Sequence, residues 1–301
     1  MKAQLSSERT WRTHQGSLSG DQFCWYEWGE PAANRPTMLL VHATGFHGLC
    51  WRQVVECLPA EQHVIAPDMR GHGHTTNRGL INWAQMGADL TQLVDLWGLA
   101  NAVGAGHSMG GHSLVQATAA SPGAFSSLLL IDPVIKAPDI YDTATRSMPS
   151  DPSEHPVARR RSSFASPKAF ADNLRGRGGY RFFTDPALMD YCEYGLIKAG
   201  GAYQLACPPL VEATIYTETD RTDIMACIQA VDVPVTVLRA KPRNPEGGMD
   251  FSTSPTWPEL AMQFRRGTDV FLPEMSHFIP MQDPSLVALH LETAAAISVS
   301  N

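Results

Sequence analysis

The stretch Ala102-Val103-Gly104-Ala105-Gly106-His107-Ser108-Met109-Gly110-Gly111-His112 constrains the fold of this chain more than any other. Small and apolar residues run into Gly106-His107-Ser108-Met109-Gly110, and a helix-compatible run, Ser113 to Ala120, runs out of it. A strand that turns sharply into a helix holds its turn residue in strained backbone geometry, and glycines at 106 and 110 let the flanking chains pass close by. The Ser108 hydroxyl is then forced out to where a substrate can reach it. The same turn aims the Met109 backbone N–H at the space beside Ser108 Oγ, and the following helix adds its positive N-terminal dipole. That is half of an oxyanion hole. The plain alternative is a chance serine in a glycine-rich turn, and the flanking chain decides between them.

Strand and helix alternate through the first 133 residues. Trp11 to Leu18 and Phe23 to Trp28, separated by Ser19-Gly20-Asp21, read as an opening β-hairpin. Thr37 to His42, His63 to Pro67 and Phe125 to Ile131 are short continuous apolar runs, the pattern of strands buried on both faces of a parallel sheet. Helices are predicted from about Cys50 to Leu58 and from Asn82 to Trp97, the second with apolar residues at 83, 86, 90, 93, 94 and 97. This order predicts a doubly wound, mostly parallel sheet with ligands at the carboxyl ends of its strands. From about Val134 to Thr222 the alternation stops. Proline, arginine and aromatics dominate there, short helices are predicted at Pro167 to Leu174, Pro186 to Ile197 and Pro208 to Ile215, and buried-strand runs are missing. The domain expectation is a core of 1–133 and 223–301 with a helical cap of 134–222. The core resumes with a strand at Val233 to Arg239, a helix at Pro258 to Phe264, a strand at Asp269 to Leu272 and a helix at Pro284 to Ala296.

A chain that is 44% hydrophobic and 18% charged can bury a full core, and its net charge of -7 argues against a dedicated nucleic-acid binder. Six cysteines lie without a Cys-x-x-Cys pair, so they read as reduced thiols and point to the cytoplasm. Met1 to Gly20 has no apolar signal core, and no apolar run is long enough to span a bilayer. Among the eleven histidines no His-Glu-x-x-His occurs, and His72-Gly73-His74 sits in a glycine turn rather than on one helix face.

Four pieces together, Leu39-Leu40-Val41-His42 with its small-residue loop, Asp68-Met69-Arg70-Gly71-His72-Gly73, Gly106 to Gly111 and Ser276-His277-Phe278, resemble the α/β-hydrolase superfamily from about residue 11 to 298. The resemblance implies the catalytic order nucleophile, acid, histidine. Ser108 takes the first role and His277, in a turn after the last strand, the third; neutral His277 would take the Ser108 proton and return it to the leaving group. The acid departs from the pattern. Relatives usually carry it just after the strand represented by Val233 to Arg239, yet Ala240-Lys241-Pro242-Arg243-Asn244 has no carboxylate. Asp250, 27 residues before His277, matches the usual separation and is the expected acid; Asp132 and Glu246 are the alternatives. The Thr44 amide, in His42-Ala43-Thr44, matches the second oxyanion donor beside Met109. Asp68 to Gly73 is expected to have a structural role.

A serine at the nucleophile position implies acyl transfer to water, with no cofactor and no metal. Hydrolysis of a small-molecule carboxylic ester or lactone is the leading expectation, with C–C (meta-cleavage product) hydrolase and cofactor-free haloperoxidase or perhydrolase activity as alternatives. A non-catalytic ligand-binding module is the reading from a different class. Neither nucleic acid nor membrane insertion is expected, and the oligomeric state is open. Arg159-Arg160-Arg161, Lys168, Arg175, Arg177 and Arg181 form a basic stretch that would attract a carboxylated substrate, against the favoured reading of a solvated face. Phe46, Met109, Tyr191, Tyr194, Trp257 and Phe278 are candidates for an apolar pocket or for core.

Overall fold

The computed structural model describes residues 9–143, 151–219, 221–243 and 250–299. An antiparallel hairpin, β1 (Arg12–Leu18) and β2 (Asp21–Trp28), opens the chain. β3 (Met38–Val41), helix α1 (Arg52–Cys57), β4 (Val64–Pro67), α2 (Trp83–Leu96), β5 (Ala102–His107), α3 (Met109–Ala120) and β6 (Phe125–Ile131) follow. After an insertion, α8 (Met225–Ala230), β10 (Val235–Arg239), β11 (Gly267–Phe271), α9 (Ile279–Gln282) and α10 (Pro284–Val299) complete the core. Eight strands form one sheet in the order β1-β2-β4-β3-β5-β6-β10-β11, parallel from β4 to β11.

Period-2 alternation sorts the strand residues onto two apolar layers. Leu39, Val41, Leu128 and Leu130 face Trp83, Met86 and Leu90 of α2 and Leu114 of α3, whereas Met38, Leu40, Leu129 and Ile131 face Val54 and Val55 of α1 and Val287 and Leu291 of α10. Each such large side chain contributes about 1.5–3 kcal/mol by leaving water, which is why runs apolar at every position form the central strands. Between Pro258 and Phe264 only a single 3-10 turn forms, Leu260–Gln263.

Between β6 and its sheet neighbour β10 the chain inserts α4 (Pro138–Thr143), α5 (Pro167–Leu174), α6 (Asp185–Tyr194) and α7 (Pro209–Thr217). The insertion is not purely helical. β7 (Ser163–Phe164), β8 (Leu196–Ala199) and β9 (Ala202–Leu205) make a small antiparallel sheet. Its strands escape apolar patterning because most of their residues stay partly exposed, and the β8–β9 hairpin turns on Gly200 and Gly201, both at positive φ. A third apolar cluster joins Phe164, Phe170, Leu188 and Tyr191 of the insertion to Phe46, after β3, and to Phe278, after His277. The insertion thus packs on the carboxyl-terminal edge of the sheet.

Candidate active site

Ser108 joins β5 to α3 with φ 57 and ψ -116, a conformation costly for a residue with a side chain. The crossing around it is tight. An added Cβ at Gly106 would lie 2.5 Å from the Gly110 backbone, and one at Gly110 would lie 2.2 Å from the Val41 carbonyl oxygen. The strain is held by hydrogen bonds: the Ser108 N–H donates to the Ile131 carbonyl at 3.0 Å, and the Ser108 carbonyl accepts from Gly111, His112 and Val134.

His277 Nε2 lies 3.1 Å from Ser108 Oγ, and its Nδ1 donates to Asp132 Oδ2 at 2.6 Å. That second bond leaves Nε2 bare toward the serine hydroxyl. Backbone contacts hold the ring in place, because the His277 N–H donates to the Ser252 carbonyl at 2.9 Å and His107 Nε2 donates to the His277 carbonyl at 2.8 Å. Burial pushes His107 well below the usual histidine range, so it serves as a neutral donor.

The carboxylate at His277 is Asp132, which corrects the expectation of Asp250. Asp132 is fully buried, and its Oδ1 accepts from the Ala240 N–H (3.0 Å), Ser254 Oγ (2.5 Å) and Thr256 Oγ1 (3.2 Å). Asp250 is exposed and takes the Ser252 N–H at 2.8 Å, closing a local turn whose hydrogen bonds hold its carboxyl below the usual range. The physical reason lies in the sheet. β6 and β10 are parallel neighbours, and the Asp132 N–H donates to the Leu238 carbonyl, so residues just past either strand reach the same point. Separation along the chain cannot distinguish them. Glu246 lies outside the described residues. Sequence reasoning did not single out Ser254, Thr256 or His107; position 107 within the serine pentapeptide was the one available signal.

Met109 begins α3, so its N–H has no partner within the helix. Thr44 sits in the loop after β3, and among the described residues its N–H donates to nothing. Two buried histidines shape that loop. His42 Nδ1 donates to the Ala43 carbonyl while Nε2 accepts from the Met69 N–H, and His72 Nδ1 donates to the Arg70 carbonyl while Nε2 accepts from the Gly45 N–H. Each ring must be neutral to do both, and burial lowers the His42 pKa well below, and the His72 pKa to about 4. In the stretch from Asp68 to Gly73, Asp68 accepts from the Gly48 and His74 N–H groups and from Tyr26 Oη, and Arg70 clamps Asp89 with two bonds of 2.6 and 2.7 Å.

A cavity of about 580 Å³ opens at Ser108 and His277. Phe46, Trp83, Tyr216, Phe251, Trp257 and Phe278 supply aromatic wall, and its charged residues are Lys136, Arg243 and Asp250. Of the candidates for pocket or core, Met109 and Tyr191 are core and Tyr194 packs edge-on against Trp11. None of the basic residues singled out between 159 and 181 lines the cavity. Arg160 pairs with Glu212, Lys168 with Asp172 and Arg175 with Asp185. Among the described residues, no group of three or more His, Cys, Asp or Glu converges as a metal site would require, and no helix is long and apolar enough to cross a membrane.

This sheet order, with a serine turn and a buried histidine at its carboxyl edge, defines a hydrolase class. The profile of the alpha/beta hydrolase family matches residues 38–289, and the chain belongs to that family. Monoacylglycerol lipase abhd6-A of Xenopus laevis is 34% identical over 121 residues, 39% of this chain and 36% of that protein. Lipase LipV of Mycobacterium tuberculosis is 32% identical over 98 residues, 33% of this chain and 37% of the lipase. The matches thus span about a third of these curated relatives. Among solved structures, E-2-(acetamidomethylene)succinate hydrolase superposes with a TM-score of 0.74 at 19% identity, covering 95% of this chain and 99% of that one, a likeness of fold.

Proposed function

We propose that this protein is a serine hydrolase that cleaves a carboxylic ester of a small molecule through an acyl-enzyme on Ser108. The observation that carries the reading is the relay from Ser108 Oγ to His277 Nε2, at 3.1 Å, and from His277 Nδ1 to Asp132, at 2.6 Å. As the hydroxyl attacks the ester carbonyl, Nε2 takes its proton, and the buried Asp132 carboxylate stabilises the imidazolium. The tetrahedral oxyanion is met by the Met109 and Thr44 amides, each on the order of 3 kcal/mol of transition-state stabilisation. His277 returns the proton to the departing alcohol, then activates the water that releases the acid.

In this reading the insertion, residues 134–222, is the cap that roofs the reaction. The aromatic wall suits an apolar acyl or alcohol group, and the presence of Lys136 and Arg243 in the lining suits a substrate that ends in a carboxylate. The similarity to monoacylglycerol lipase supports ester chemistry.

A fluorophosphonate probe and a panel of esters with and without a second carboxylate test the proposal. Wild type should be labelled and should hydrolyse esters, Ser108→Ala should do neither, and His277→Ala should lose turnover at retained thermal stability. Near-wild-type turnover by Ser108→Ala would sink the assignment.

A further inference from the structure

The loop that carries the Thr44 amide is gripped from two sides at Gly45. From the core, His72 Nε2 accepts the Gly45 N–H at 3.0 Å. From the insertion, Glu212 of α7 lies so close that a Cβ on Gly45 would meet its Oε1 at 2.7 Å, and Gly45 itself holds φ at +79°. Glu212 is buried, with a relative exposure of 5%. Its other oxygen, Oε2, accepts from an Arg160 guanidinium nitrogen at 2.7 Å. Arg160 also reaches Tyr191 Oη at 3.4 Å, and Tyr191 Oη lies 3.2 Å from Tyr180 Oη. Burial pushes the Glu212 carboxyl above its usual range, and Arg160 opposes that shift.

The ion pair is partly buried, Glu212 more deeply than Arg160. Replacing a buried pair by apolar side chains of similar volume is often neutral or stabilising, so stability alone is a weak account of it. Here the pair joins two parts of the insertion, the segment around residue 160 and α7, and sets a carboxylate oxygen where a side chain on the Gly45 α-carbon would stand. Gly45 directly follows Thr44.

We propose that the Arg160–Glu212 pair is a positioning device for the Thr44 amide, through which the insertion sets the second oxyanion donor. The inference rests on the serine hydrolase reading above. Arg160 fixes the Glu212 carboxylate, the carboxylate packs at the Gly45 α-carbon, and His72 holds the Gly45 N–H. The Thr44 N–H is thereby aimed at the oxygen that becomes negative during attack rather than at the ground-state substrate. A shift of that donor lowers kcat and leaves KM nearly alone.

The test uses the full chain, with active sites titrated by the fluorophosphonate so that kcat is counted per competent site. Glu212→Ala removes the contact with Gly45 and should lower kcat about 30-fold, with KM within about threefold. Glu212→Gln keeps the planar shape and still accepts from Arg160, and it should retain kcat within about threefold. A kcat for Glu212→Ala within threefold of wild type, or an equal loss in the Ala and Gln variants, overturns the proposal. If Glu212→Ala does not accumulate as folded protein, Arg160→Met decides by the same measurement: a tenfold or greater loss of kcat at constant KM supports the proposal, and an unchanged kcat overturns it. Failure of the wild type to label overturns the serine reading and this inference together. Labelled, ester-cleaving wild type with an indifferent Glu212 overturns this inference alone.

Discussion

At the scale of single residues, the contrast between Asp132 and Asp250 is the sharpest in the molecule. Both are aspartates near the tip of the same sheet, but only Asp132 meets the ring nitrogen of His277 that faces away from Ser108. Three donors besides His277 surround its carboxylate, whereas Asp250 closes its own turn. Asp132→Asn should therefore lower kcat by about three to four orders of magnitude, because the amide presents the wrong tautomeric partner to the imidazole. Asp250→Asn should stay within a few-fold of wild type. Steady-state kinetics on the two variants check this, and a reversed ranking would reject Asp132 as the acid. The pentapeptide around Ser108 was legible in the sequence because its chemistry is local. Asp132 was not, because its neighbours are 108 to 145 positions away along the chain.

Among the elements, the crossing of β5 into α3 carries the greatest constraint. Gly110 passes the end of β3 with no room for a methyl group, the obstacle being the Val41 carbonyl oxygen at 2.2 Å, which is backbone and cannot swing away. Gly110→Ala should cost about 3 kcal/mol of stability and also displace the Ser108 turn. Gly79→Ala is the control, since its added Cβ meets only the end of the Arg70 side chain at 3.4 Å. Chemical denaturation of the two variants measures the difference, and equal stabilities would reject the account. Central strands were readable from their unbroken apolar runs. The three strands of the insertion were not, since short, half-exposed strands leave neither an apolar run nor clean alternation.

For the whole molecule, the buried histidines set the response to acid. Burial lowers the pKa of His47, His72 and His112 from 6.5 to about 4, and those of His42 and His107 well below 6.5. Between about pH 6.5 and pH 4 the unfolded chain binds protons that the folded chain excludes. Stability is therefore fully present above that window and falls as pH drops through it, by on the order of 3 kcal/mol for each of the three histidines lowered to about 4. Burial raises the carboxyls of Asp68, Asp190 and Glu212, which offsets part of the loss at the acid end. Calorimetric Tm values should decline steeply from pH 7 to pH 5. A Tm that is flat across this range would contradict the assignment of neutral buried rings.

Local chemistry and periodicity, both written in the order of residues, determined the parallel sheet, the serine turn and the interruption after β6. The tertiary structure decided which carboxylate meets His277, because adjacent parallel strands end at one point whatever their distance in sequence. It also decided that Arg160 faces Glu212 and not the cavity, since the buried Glu212 carboxylate needs a partner that no count of charges reveals.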